Sequence, residues 1–152
     1  MKNKLITRMA ILFCLTLLGF SGRTQTTSLV VGTVKSGAGT ITNLTDATHV
    51  LIANLPDGSS VSDLKVEYSE NESKYYLTGK VSGNAVSSVA VQLGQSGNTL
   101  TAFAGPGVEY TCNGFNCSDC RISFKGGPHC TCFKIVENPY RCDMTSKYTI
   151  GL

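Results

Sequence analysis

Apolar and polar residues alternate with a period of two through much of the chain between residues 28 and 104. The alternation is clearest where Leu64, Val66 and Tyr68 are separated by polar neighbours. Because a β-strand points successive side chains to opposite faces, this pattern predicts strands that each have one buried face. The predicted strands cover residues 28–35, 64–69, 75–82, 88–93 and 100–104.

Clusters of glycine, proline, asparagine and aspartate separate these strands and predict turns. The clusters lie at residues 36–39, 56–58, 83–84 and 94–98. The polar run 70–73 joins two predicted strands as a hairpin. Frequent strands without a long helix indicate a mainly β fold, in the form of an antiparallel meander, a sandwich or an open barrel.

One segment, residues 47–55, fits two structures. Thr45 or Asp46 is suited to cap a short helix, whereas Val50, Leu51 and Ile52 favour a buried strand. We interpret the segment as a strand.

Two aromatic residues, Tyr76 and Phe103, lie opposite the predicted core faces of their strands. Exposed aromatic side chains are typical of binding surfaces, so both are candidates for a binding face. The alternative is that they cover the second face of the sheet.

The first 25 residues have the pattern of a secretory signal peptide. Lys2, Lys4 and Arg8 form a basic start, and residues 9–20 are almost entirely apolar. This apolar run is too short to span a bilayer, which needs about 20 residues. We therefore expect a secreted, periplasmic or cell-surface protein with no transmembrane segment after signal removal.

The charge of the chain is concentrated in this leader. The formal net charge is +3, and residues 1–25 carry four basic residues, Lys2, Lys4, Arg8 and Arg23, and no acidic one. The remainder is close to neutral, which argues against nucleic acid as a partner. Residues 26–152 are predicted to form a single domain, and a chain of this length buries roughly two-thirds of its unfolded surface.

The cysteines are clustered in a C-terminal module, residues 108–152, which follows the Gly/Pro-rich run 104–107. Six of the seven cysteines lie here, at Cys112, Cys117, Cys120, Cys130, Cys132 and Cys142. An even number of thiols in an exported chain predicts disulfides, although fifteen pairings are open to six cysteines. Cys130 and Cys132 share one face of a strand, so each is expected to bond elsewhere rather than to the other.

A zinc site is the first alternative use of the same cysteines. Cys117 and Cys120 have the two-residue spacing of a zinc knuckle, and His129, Cys130 and Cys132 could supply a second group of ligands.

An iron–sulfur site is the second alternative. Cys112, Cys117 and Cys120 have the spacing C-x4-C-x2-C. Tyr110 and Thr111 precede the first cysteine, and Ser118 follows the second. This run resembles that of plant-type two-iron ferredoxins, which implies a 2Fe–2S electron carrier with Cys142 as the fourth ligand. The layout as a whole, a β-rich front and a Cys-rich end, resembles small exported bacterial proteins of uncharacterised function.

Residues typical of catalysis are sparse. His49 and His129 are the only histidines, and no serine lies in a nucleophile elbow. We therefore expect a binding or structural protein rather than an enzyme, without a cofactor unless one of the metal alternatives applies. A protein or a surface glycan is the expected type of partner, and the ligand-binding residues are not identified by the sequence.

Overall fold

A computed structural model of the chain describes residues 28–53, 55–83, 85–103 and 107–149. The predicted signal peptide lies outside these residues. The elements in chain order are β1 (Ser28–Lys35), β2 (Ala38–Ile41), α1 (Leu44–Ile52), β3 (Ser60–Ser69), β4 (Lys74–Ser82), β5 (Val86–Ser96), β6 (Thr99–Phe103), β7 (Gly107–Phe115), β8 (Cys117–Ser123), β9 (His129–Ile135) and β10 (Arg141–Thr149). All pairings between these strands are antiparallel, which confirms the predicted mainly β fold.

The strands form a nearly closed, barrel-like sheet around β5. Hydrogen bonds join β3 to β4, β4 to β5, β5 to β6, β6 to β1 and β1 to β2. β2 then lies against β3, where Gly39 is so close to Val66 that a Cβ on the glycine would overlap the valine side chain. β7 bonds to a different stretch of β5 and carries β10 at its other edge.

The first core fills the inside of this sheet. Its fully buried residues include Val31, Leu51, Leu77, Val89 and Leu100. Leu64 and Val66 on β3, and the predicted inward-facing residues of β5, lie in or against this core as well. Alternation therefore identified the inner face correctly at these positions.

Residues 44–52 form a helix, so the prediction of a strand at residues 47–55 is wrong. The helix is capped by Asn43, whose Oδ1 accepts a hydrogen bond from the backbone N–H of Asp46 at 3.1 Å. Ala47 and Leu51, four residues apart on one helical face, are fully buried in the first core. Capping and tertiary burial together override the local strand preference of Val50 and Ile52.

Asn43→Ala is expected to destabilise the protein by about 1 kcal/mol, because it removes the acceptor for an otherwise unpaired helical N–H. Chemical denaturation would measure the change. Asn43→Ser keeps a capping oxygen and should recover most of the loss. Equal stability of the alanine variant and the original would show that the cap contributes nothing.

The second core lies on the outer face of β4, β5 and β7. Tyr76, Ala90 and Tyr110 of these strands pack with Ile122 and Phe124, the latter just beyond β8. Tyr76 is fully buried, and its ring stacks on Phe124 at a centroid distance of 4.3 Å. The hypothesis that Tyr76 is an exposed binding residue is therefore wrong. Tyr76 covers the second face of the sheet, which was the alternative.

Several element boundaries differ from the sequence prediction. Ala38 and Gly39 belong to β2 rather than to a turn, and β5 continues through Gly94 to Ser96. Tyr68 was predicted to face the core, but it is 45% exposed and its ring packs beside Tyr75. None of the described segments contains a helix long and apolar enough to cross a membrane.

Candidate binding groove and disulfide ribbon

Strands β8 and β9 form a separate two-stranded ribbon that covers the second core. Alternate residues of β8 point toward the sheet, so that Cys120 and Ile122 are buried while Arg121 between them is partly exposed. The ribbon turns at Gly126 and Gly127, both of which have positive φ angles, as glycine tolerates. The chain therefore reverses direction directly before β9.

Three disulfides hold the ribbon, and each joins a different pair of elements. Cys112–Cys130 links β7 to β9, Cys117–Cys132 closes the ribbon itself, and Cys120–Cys142 links β8 to β10. The predicted disulfides are confirmed in the structure, and Cys130 and Cys132 bond to different partners as expected. The ribbon is thus fastened to the sheet through both of its strands.

The residues of the zinc and iron–sulfur alternatives are distributed over all three disulfides. His129 pairs with Ser123 at the turn end of the ribbon, and its Nδ1 lies 2.9 Å from the carbonyl oxygen of Gly127. A different group of sulfurs is close together: the Sγ atoms of Cys112, Cys120 and Cys130 all lie within 4.8 Å of one another.

A groove of about 430 Å³ lies between the sheet and the ribbon, and we call it the ribbon groove. Its sheet side is formed by Lys80, Val81, Val86 and Ser87, and its ribbon side by Ser118, Asp119, Cys120 and Lys134. Its walls come from segments of the chain that are far apart in sequence. Only the folded ribbon brings them together.

A smaller pocket of about 40 Å³ shares Lys80 with the ribbon groove. It is lined by Thr78 and Ser88 of the sheet and by Arg121 and Ile122 of the ribbon, among others. Ser88 is only 5% exposed, and its Oγ has no hydrogen-bond partner among the described residues.

Charged side chains connect the two cavities. Lys80 Nζ lies 3.1 Å from Asp63 Oδ2 and 3.9 Å from Asp119 Oδ1. Arg121 donates two hydrogen bonds to the Asp119 carboxylate, one of them from Nε at 2.6 Å. These bonds lower the pKa of Asp119, and the nearby charges of Lys80 and Lys134 lower it further. Asp119 is therefore ionised and holds Arg121 in position.

Lys134 is the cation of the groove that is least neutralised. Within the described ranges it forms no ion pair at 4.0 Å or less, whereas Lys80 has two carboxylates within that distance. Its neighbour across the ribbon in the strand register is Asp119, whose charge is already shared with Arg121. A positive charge is thus available at the ribbon wall of the groove.

A carboxylate supports the second core from the hairpin between β3 and β4. Glu72 accepts hydrogen bonds from the hydroxyls of Tyr76 at 2.8 Å and Tyr110 at 3.3 Å. Burial raises the pKa of both hydroxyls, and Glu72 raises it further. Both tyrosines are therefore neutral donors with a structural role. The sequence showed Glu72 only as part of a polar turn.

The outer surface of the ribbon carries exposed apolar side chains. Phe133, Ile135 and Val136 are each about half exposed or more, and the guanidinium of Arg121 lies 5.1 Å from the centre of the Phe133 ring. Sequence reasoning missed this surface, although Phe133 and Ile135 do alternate with Cys132 and Lys134.

No protein-family model, no curated protein and no solved structure matches this chain.

Proposed function

We propose that this protein is an exported binding protein whose ligand is a small molecule bearing a carboxylate, held in the ribbon groove. The observation that carries the proposal is the groove itself, which has a volume of about 430 Å³ and a lysine on each wall. Pockets that bind small molecules measure about 300–1,000 Å³.

The charges of the groove support an acidic ligand. Lys80 and Lys134 face Asp119 as the one acidic residue of the lining, which leaves a net positive charge. Because Asp119 is engaged by Arg121, the Lys134 ammonium is the group best placed to receive a ligand carboxylate. Ser87 and Ser118 add hydroxyls that can bond to other polar groups of the ligand.

The disulfides support binding because they fix both walls before a ligand arrives. Cys120 lines the groove and is bonded to Cys142 of β10, so the ribbon cannot separate from the sheet without breaking this bond. A preformed site loses less conformational entropy when it binds. The described groove has no nucleophile paired with a general base, so we propose binding rather than catalysis.

Lys134→Ala is expected to abolish most of the binding of a small polycarboxylate, because it removes the available cation. The measurement is a titration of the isotope-labelled protein with citrate, followed by chemical shifts of the groove residues. Lys125→Ala, at the exposed turn of the ribbon, is the matched control and should bind citrate normally.

The same titration with trehalose tests the nature of the ligand. An uncharged sugar is expected to leave the groove resonances unchanged. Groove shifts with trehalose and none with citrate would replace the acidic ligand with a glycan. No shifts with either would leave the protein with a structural role and remove the proposed function.

The export part of the proposal rests on the leader pattern of residues 1–25. The exported protein is expected to begin between Gly22 and Thr26, because small residues precede these positions. N-terminal sequencing or intact mass of protein recovered from outside the cytoplasm would test this. Recovered protein that still begins at Met1 would contradict a cleaved signal.

A further inference from the structure

We infer that the reduced protein contains a zinc site formed by Cys112, Cys120 and Cys130, with Cys142 as the fourth ligand. The inference rests on the positions of the sulfurs and does not require a ligand in the ribbon groove, although Cys120 also lines that groove. It assigns a different ligand set from the one that sequence spacing suggests, because it replaces Cys117, Cys132 and His129 with Cys112 and Cys142 and keeps Cys120 and Cys130.

The fold gathers three sulfurs from three strands. The Sγ atoms of Cys112 on β7, Cys120 on β8 and Cys130 on β9 lie within 4.8 Å of one another. In a tetrahedral thiolate site with Zn–S bonds of about 2.3 Å, neighbouring sulfurs are about 3.8 Å apart. Once the Cys112–Cys130 bond is broken, its two sulfurs must move apart to about this distance, and the Cys120 sulfur is already near both of them.

Cys142 is the natural fourth ligand, because its sulfur is bonded to that of Cys120 in the oxidised protein. It lies outside the group of three, so it must rotate toward the ion once its bond to Cys120 is broken. Cys117 and Cys132 form their own disulfide within the ribbon and do not belong to the group. The structure thus divides the six cysteines into a set of four and a pair.

The surroundings fit a closed structural site rather than a catalytic one. Cys112 is 0% exposed and Cys120 is 1% exposed, and both belong to the second core beside Ile122 and Phe124. Four thiolates without an open position are typical of zinc that stabilises a fold. Zinc in this place would link β7, β8, β9 and β10, which the two disulfides link in the oxidised protein.

The disulfides and the metal use the same sulfurs, so the two forms exclude each other. A dithiol or phosphine must supply four electrons to break Cys112–Cys130 and Cys120–Cys142, and four protons from solvent complete the thiols. Zinc then displaces up to four protons as the thiolates bind it. No change in the oxidation state of the metal is involved.

Cobalt(II) is the probe for this site, because it shows visible absorption bands in a tetrahedral thiolate environment. The phosphine-reduced protein is expected to bind one equivalent and to develop these bands, which excess zinc should abolish. The oxidised protein should not bind. The Cys117→Ser/Cys132→Ser double variant and His129→Ala should retain the spectrum, whereas Cys112→Ser and Cys130→Ser should lose it.

A second measurement guards against variants that lose binding by unfolding. In the reduced protein without substitutions, one equivalent of zinc is expected to slow hydrogen exchange in β7, β8 and β9. Absence of the cobalt bands, bands that depend on Cys117 and Cys132 or on His129, or unchanged hydrogen exchange would each overturn the inference.

Discussion

Leu77→Asp is expected to destabilise the protein by more than about 4 kcal/mol, a large part of the free energy of unfolding of about 5–15 kcal/mol that typical domains have. Leu77 is 0% exposed and lies on β4 between Val66 of β3 and Val91 of β5. Truncating a buried leucine costs about 2–5 kcal/mol, and burying a carboxylate without a partner adds to this cost. Urea denaturation and thermal melting would measure the loss.

Lys74→Ala on the same strand is the control. Its side chain is exposed and, among the described residues, bonds only to the Gln92 amide, so its loss should change the stability by less than about 0.5 kcal/mol. Similar melting temperatures for the two variants would show that the inner face of β4 does not form the core. The stability of Leu77→Ala should lie between the stabilities of these two variants.

The inner face of the sheet could be predicted because alternation is a local property of the sequence. Val66 and Val91 face the first core as their spacing indicates. Tyr76 was misjudged because alternation assigns the opposite face to solvent, whereas a second layer covers that face here. The pattern of β4 alone does not show that its second face is buried, because the layer that covers this face comes from the ribbon, far along the chain.

The helix was missed for a related reason. Its cap, Asn43, lies before the positions considered as caps, and Val50 and Ile52 locally favour a strand. The deciding contribution is the burial of Ala47 and Leu51 in the core, which depends on contacts with distant strands. Propensity alone does not contain that information.

The site was predictable only in part. Cysteine clustering and the leader pattern of residues 1–25 indicated disulfides, and strand geometry separated Cys130 from Cys132. The choice among the pairings required the positions of β7 and β10, which meet in an antiparallel ladder only after folding. The groove likewise brings together Lys80 and Lys134, which are far apart in the sequence. Sites built between layers depend on the packing of the layers.

The oxidised protein is expected to have three disulfides with the connectivity seen in the structure. Full reduction should then increase its mass by about 6 Da, two hydrogens for each bridge. Peptide mapping without reduction should recover Cys112 with Cys130, Cys117 with Cys132 and Cys120 with Cys142. Free thiols or other pairs in the native protein would contradict this arrangement.

Reduction is also expected to lower the stability substantially, but unevenly along the chain. The bridges span 18, 15 and 22 residues, and loops of this size correspond to about 3 kcal/mol each. The first core contains no cysteine, so β1 to β6 should keep their protection from hydrogen exchange while β8, β9 and β10 lose theirs first. Simultaneous loss throughout the chain would show instead that the barrel-like sheet depends on the ribbon for its stability.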